Sequence, residues 1–128
     1  MKNILFDTDV LIEHLRDNPK VTQQIADLHQ AHTHLGYSAI SEAEVYRGLR
    51  SHERTKTGLL LNGLTCLDVN RDVGRMAGEY LRKYSKTHGL ELPDALIASC
   101  AIVHRFALCT FNWKHYPMSE VERYRIER

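Results

Sequence analysis

A chain of 128 residues is the size of one domain, and it is long enough to bury a core without disulfide or metal staples. Its 43% hydrophobic and 26% charged residues are those of an ordinary globule, and no apolar run approaches a membrane span. The formal net charge of +1 lacks the basic excess that would mark a general nucleic-acid binder. Cys66, Cys100 and Cys109 are odd in number, far apart and set in apolar surroundings. They read as buried free thiols of a reducing compartment, without metal-type spacing. The chain reads directly into a strand with no signal-peptide layout, so the expectation is a cytoplasmic protein.

The first strand is Asn3-Ile4-Leu5-Phe6-Asp7, where three apolar residues in a row suit a strand covered on both faces. A helix follows from about Asp9 through Leu15, and Asn18-Pro19 caps and opens another that carries Val21, Ile25 and Leu28. His29, His32 and His34 close that helix at spacings that do not converge on a metal. Leu35 to Ala39 reads as a second strand, and Ser41-Glu42-Ala43-Glu44 opens the next helix. Leu59-Leu60-Leu61 belongs to a further helical piece ending at Gly63. Leu64 to Val69 is the third strand. Asn70 caps a long amphipathic helix that stops at Gly89. Leu92-Pro93-Asp94 starts a helix apolar nearly all round, which should therefore be buried. Phe106 to Thr110 is the fourth strand, and a short last strand is expected near Tyr124 to Ile126. Strands alternating with helices predict an α/β fold, with a parallel sheet flanked by helices on both faces and a single domain over residues 1–128.

Three acids stand out by position. Asp7 ends the first strand, where ligands bind in open α/β sheets, although Asp is also a good helix cap. Glu44 fits either a site or a Ser41-x-x-Glu44 capping box. Asp94 heads the apolar helix, where the helix dipole favours an acid, yet a carboxylate there needs a partner once buried. Carboxylates gathered in one crevice raise each other's pKa, and a hard divalent cation, Mg²⁺ or Mn²⁺, removes that cost. Such an ion activates water and stabilises phosphoryl charge. Thr8, Thr110 and Asn112 are neutral oxygen-bearing neighbours in the same stretches. There is no Gly-rich phosphate loop and no Ser/His/Asp arrangement.

Four stretches in order carry a resemblance: Phe6-Asp7-Thr8-Asp9-Val10-Leu11-Ile12, Ser38 to Gly48, Leu92 to Ala98, and Leu108-Cys109-Thr110-Phe111-Asn112-Trp113-Lys114-His115-Tyr116. Together they resemble a PIN-domain ribonuclease, and more closely a VapC-type toxin of a type II toxin–antitoxin pair. The resemblance implies a PIN fold and Mg²⁺- or Mn²⁺-dependent endoribonuclease action on structured RNA. It also implies a homodimer and inhibition by a VapB-like antitoxin. Carried over by position, Asp7, Glu44 and Asp94 are the catalytic, metal-holding acids, and register favours Glu44 over Glu42. Asp9 is a secondary contributor, and Thr8 and Thr110 position a water or a carboxylate. Asn112 stands where many PIN domains have a fourth acid.

Basic residues fall in three runs: Arg47 to Lys56, Arg71 to Lys86, and Arg123, Arg125 and Arg128. Such runs are usually solvated faces. Beside an acidic site, Arg47, Arg50 and Arg54, or Arg71, Arg75 and Arg82, become candidate phosphate contacts. Trp113, Tyr116 and Phe111 either stack a base or pack the last segment onto the domain. Two other readings compete: a PIN-like domain that only binds RNA or protein, and a receiver-like module that accepts a phosphoryl group on an Asp.

Overall fold

The computed structural model describes residues 2–128. Four strands, β1 (Asn3–Phe6), β2 (His34–Ser38), β3 (Thr65–Leu67) and β4 (Ala107–Cys109), form one sheet in the order β3-β2-β1-β4. Every pairing is parallel. The helices are α1 (Thr8–Leu15), α2 (Pro19–Gln30), α3 (Ala39–Arg47), α4 (Arg54–Asn62), α5 (Arg71–His88) and α6 (Leu92–His104), with short 3-10 turns at Ser51–Glu53 and Trp113–His115.

Side chains of a strand alternate between faces, and the two faces of β1 meet different helices. Ile4 and Phe6 join Val10, Leu11, Val21, Ile25, Val45 and Leu61 in a layer made by α1 to α4. Leu5 joins Leu108, Val73, Ala77, Ile97 and Ala101 in the layer made by α5 and α6. Ile4, Leu5 and Phe6 are wholly buried, as the unbroken apolar run predicts. Burying each such side chain stabilises the fold by about 1.5–3 kcal/mol. Gly36 lets β2 and β3 approach, because a Cβ there would stand 2.9 Å from the Thr65 carbonyl oxygen. Gly89 ends α5 at φ +65°, a left-handed position that glycine takes without strain. Among the described residues, no helix is long and apolar enough to cross a membrane.

Several expected details differ. Strand β2 stops at Ser38, so α3 begins at Ala39 and Ser38, not Ser41, is its cap, accepting from Ser41 N at 3.3 Å. Glu44 therefore lies beyond the first turn and makes no capping box. Two serines three residues apart were both competent caps, and the end of β2 chooses between them. Strand β3 is an edge strand paired on one side only and is shorter than its apolar sequence. The last segment forms a single parallel bridge, Leu108 to Arg123, rather than a strand over 124–126. Cys66 is exposed, whereas Cys100 and Cys109 are buried thiols as expected. His34 belongs to β2 and lies 2.8 Å from Thr65 Oγ1, apart from His29 in α2.

Strands β1, β2 and β3 march one way across the sheet; the chain then crosses through α5 and α6 and lays β4 on the other side of β1. The carboxyl ends of β1 and β4 therefore border the point where strand order reverses, the place where such sheets form a ligand crevice.

Candidate functional site

Asp7 follows β1 directly and caps α1, its Oδ1 accepting from Thr8 N at 2.7 Å. Capping does not consume it. Oδ2 accepts from Thr110 Oγ1 at 2.8 Å and from the Tyr116 hydroxyl at 2.7 Å. The side chain is buried, with 6% of the residue exposed. Thr110 is fixed just past β4, and Tyr116 just past the 3-10 turn, so three separate segments converge on one carboxylate.

Asp9, one step into α1, accepts from Phe111 N at 3.0 Å and from Asn112 Nδ2 at 3.0 Å. Thr110 Oγ1 stands 3.3 Å from the same oxygen, but its single proton serves the shorter bond to Asp7. Asp94 lies in the first turn of α6. Its Oδ1 is 3.4 Å from the Tyr116 hydroxyl, and its Oδ2 is 3.5 Å from His115 Nδ1. Tyr116 thus stands between Asp7 and Asp94. Glu44 reaches the crevice from α3, its Oε1 accepting from Thr8 Oγ1 at 2.7 Å. Ser41 Oγ lies 2.8 Å from the same threonine oxygen. Because the Thr8 proton goes to Glu44, Ser41 donates to Thr8. Glu42 instead takes the Tyr37 hydroxyl at 2.6 Å, which keeps it out of this group.

Burial, followed by the neighbouring charge of Asp9, pushes the Asp7 carboxyl up to about 6, against the bonds from Tyr116, Thr110 and Thr8 that hold it down. Burial also raises Asp9, opposed chiefly by the Phe111 N–H. Asp94 is raised by burial and then by Asp7, with Glu44 adding and His115 opposing. The acids therefore feel one another, and burial raises the cost of their charge. Cys109 lies beneath them, and burial lifts its thiol to about 12, so it offers no thiolate.

The donor set is all oxygen, which suits a hard cation. Asp7 Oδ1 takes one hydrogen bond and keeps a free lone pair, and Asp94 and Glu44 lie within electrostatic reach. Among the described residues, no three His, Cys, Asp or Glu side chains are placed together so that they could hold a metal ion. Mg²⁺ keeps several of its waters and needs only one or two carboxylates, so the residues fit such an ion.

The structure brings together Asp7, Thr8, Asp9, Glu44, Asp94, Thr110 and Asn112 from the sequence reading. Trp113 begins the 3-10 turn next to them. Arg47, Arg50, Arg54 and Arg75 are not among the partners: they lie on α3, before and at the start of α4, and on α5, and none pairs with an acid of the crevice. Tyr116, Ser41 and His115 were not picked out as members. In sequence Tyr116 reads as an aromatic surface and Ser41 as a cap, and nothing in their spacing announces the hydroxyl bonds they make. The receiver-like reading does not survive the strand order. In a receiver β3 lies beside β1, whereas here β2 separates them and Asp68, after β3, is remote from the crevice.

A family model described as PIN domain matches residues 4–121. The chain is 35% identical over 118 residues to Ribonuclease VapC10 of Mycobacterium tuberculosis, covering 91% of this chain and 88% of that protein. It superposes on a toxin–antitoxin complex from Klebsiella pneumoniae with a TM-score of 0.77 and 26% identity, covering 96% of this chain and 99% of that one. VapBC2 of Rickettsia felis matches in fold with a TM-score of 0.83 at 22% identity, covering 98% and 99%.

Proposed function

The chain belongs to the PIN-domain family and, within it, to the VapC type, and from that premise we propose that it is the toxin of a type II toxin–antitoxin pair. Its activity in this reading is divalent-metal-dependent endonucleolytic cleavage of structured RNA. A VapB-like antitoxin holds it inactive, and it acts as a homodimer in the cytoplasm. The name of its relative VapC10 and the toxin–antitoxin complexes that share its fold support the activity and the partner. The observation that carries the proposal is the approach of buried Asp7 and half-buried Asp94 to one tyrosine hydroxyl, that of Tyr116, with Glu44 in reach.

Asp7 and Asp94, with Glu44 facing them, would hold Mg²⁺ or Mn²⁺. When bound, the ion would lower the pKa of a water and stabilise charge on phosphoryl oxygens. Thr110 and Tyr116 orient Asp7, and the Ser41–Thr8 relay aims Glu44. Asp9 is a strut, since its Oδ2 takes two N–H donors that tie α1 to the segment after β4. Asn112 turns its amide N–H on Asp9 and so adds no negative ligand, which supports one cation rather than two. Charge complementarity also suggests the route of inhibition: a basic side chain of the antitoxin entering the acidic crevice. Full activity in a complex whose antitoxin leaves the crevice open would overturn that route.

The test is cleavage of a pool of small structured RNAs by purified protein with Mg²⁺ or Mn²⁺ and with EDTA, beside Asp7→Asn and Asp94→Asn. Discrete cutting that needs metal and disappears in both variants is the expected result. Cutting that persists unchanged in both variants overturns the site assignment.

A further inference from the structure

The chain's last segment builds a second surface on the rim of the crevice. Leu108 N donates to Glu122 O at 2.8 Å, and Tyr124 N donates to Leu108 O at 2.9 Å, so the segment runs extended beside β4. In extended chain, residues two apart share a side. Arg123 and Arg125 both place their guanidinium groups over the Trp113 ring, 5.1 and 5.0 Å from its centroid. Arg123 is steadied further by donating to the Tyr116 carbonyl oxygen at 3.1 Å. Next to them, Arg128 covers the Phe111 ring at 5.1 Å. The end of the chain is docked and not loose: Gln24 exchanges two hydrogen bonds with the Glu127 backbone, at 2.6 and 2.9 Å.

The charges on this surface are not all alike. Arg128 is paired with Glu13 at 3.0 Å. Arg123 and Arg125 are exposed, and among the described residues neither has a carboxylate within ion-pair distance. Two arginines placed merely to neutralise the crevice would sit on its carboxylates. These lie against an indole instead, at cation–π distance, with exposed side chains. A cleft of about 570 Å³ lies beside Arg125, walled by Thr110, Phe111, Trp113 and Ile126 and also by Gln24 and by Glu127, whose carboxylate is paired with Lys20 at 2.9 Å. Thr110, which lines this cleft, also donates to Asp7, so the cleft and the acidic centre share a wall residue.

We propose that the shelf of Arg123, Trp113 and Arg125, with its cleft, is a subsite for a single-stranded stretch of the RNA entering or leaving the acidic crevice. This rests on the ribonuclease reading above. A polyanion brought up to clustered carboxylates needs cations alongside, and guanidinium groups steadied against an aromatic ring supply phosphate donors. Guanidinium planes and aromatic rings also stack unpaired bases, which double-stranded RNA does not offer. The basic residues of α3, α4 and α5 have no such link to Asp7.

The experiment is fluorescence anisotropy of a short labelled single-stranded oligoribonucleotide of mixed sequence, titrated with protein in EDTA at several salt concentrations. Arg125 is exposed, so Arg125→Gln is expected to fold normally. It should weaken binding and flatten the log–log salt slope by about 0.7, the value for one phosphate contact on a single strand. Trp113→Leu should weaken binding about 5- to 150-fold with the slope nearly unchanged, as for one lost stacked base. Lys86→Gln, at the far end of α5, is the charge-matched control.

Binding and slope in Arg125→Gln equal to those of Lys86→Gln would overturn the shelf, as would failure of the wild-type protein to bind the oligonucleotide at low salt. If RNA binding is unchanged while Arg125→Gln escapes inhibition by the cognate antitoxin, the surface is an antitoxin contact and the RNA assignment falls. Because the titration contains no metal, it is read independently of cleavage. A wild type that cuts RNA while both shelf variants bind normally loses only the shelf, and a wild type that cuts nothing loses the ribonuclease reading.

Discussion

On the β4 wall of the crevice, Asp7 is held by three donors and Asp9 by two N–H groups. On the α3 wall, Glu44 is held by the single hydroxyl of Thr8. The first wall is set before any ligand arrives, and its carboxylates are more deeply buried. The second presents a longer side chain, with one tether, that can follow a ligand. The difference separates two tasks. In the proposed ribonuclease, the β4 wall would fix where a cation sits, at a cost seen in its raised carboxyl pKa values, and the α3 wall would adjust the geometry around it.

The largest break of that contrast is Asp7→Asn. Cleavage should fall about 10²–10³-fold or more, as when a group stabilising transition-state charge is removed. Thermal unfolding in EDTA should change little, because relief of the buried charge offsets the hydrogen bonds disturbed when one acceptor oxygen becomes an N–H donor. Mg²⁺ should raise the melting temperature of the wild type and not that of the variant, since only a folded protein that binds the ion is stabilised by it. A variant that cuts within tenfold of wild type would move the chemistry to the Glu44 wall.

The same burial predicts the pH dependence of the metal-free protein. The Asp7 carboxyl is raised from 3.8 to about 6, so between those values the folded state holds a proton that the unfolded chain has released. The stabilisation is fully present below pH 3.8 and is lost as pH rises through about 6. The loss amounts to about 3 kcal/mol for this one group. Urea unfolding in EDTA at about pH 4 and pH 7 measures it, other acids adding their own slopes. Asp7→Asn should flatten the fall. An unchanged profile in that variant would show that Asp7 does not carry it.

Much of this wall was readable from sequence, and the reasons are specific. The run Ile4-Leu5-Phe6 required a doubly covered strand, and an acid at the end of such a strand had to lie near a crevice. Asp94 at the head of an apolar helix needed a partner, and the one within reach is His115, since the single Tyr116 proton serves the shorter bond to Asp7. Glu44 was ambiguous because its spacing from Ser41 suits a capping box, and only the end of β2 at Ser38 resolved that. The Tyr116 hydroxyl was not readable, because an aromatic residue after a strand signals packing whether or not its oxygen finds a carboxylate. In sequence the C-terminal arginines are one more basic run, since local spacing says nothing of a Trp ten and twelve residues before Arg123 and Arg125. Both gaps arise where contacts are long in sequence and made by side-chain tips.

Tyr116→Phe probes the middle of the scale. It keeps the ring in the core and leaves Asp7 with two donors. Losing a hydrogen bond to a charged group should cost about 1.5–3 kcal/mol at neutral pH. It should also push the Asp7 carboxyl further up, since the Tyr116 bond now holds it down. Weaker Mg²⁺ binding by calorimetry, together with lower urea stability at neutral pH and little change under acid conditions, is the expected pattern. Equal losses at both pH values would mean that the hydroxyl serves packing alone.

The smallest effect belongs to the second wall. Thr8→Val removes the one tether of Glu44 and also leaves the Ser41 hydroxyl without its acceptor. Thr8 is only partly buried, but Ser41 is fully buried and loses its acceptor, so the stability cost should be about 1–3 kcal/mol. If the β4 wall alone sites the cation, Mg²⁺ affinity should barely move while cleavage slows, because Glu44 no longer stays aimed at the ion. Thr8→Ser, which restores the hydroxyl without the methyl group, should recover the rate. A parallel loss of affinity and rate in Thr8→Val would show that Glu44 helps to site the cation as firmly as Asp7 does, and the two walls would then share one task.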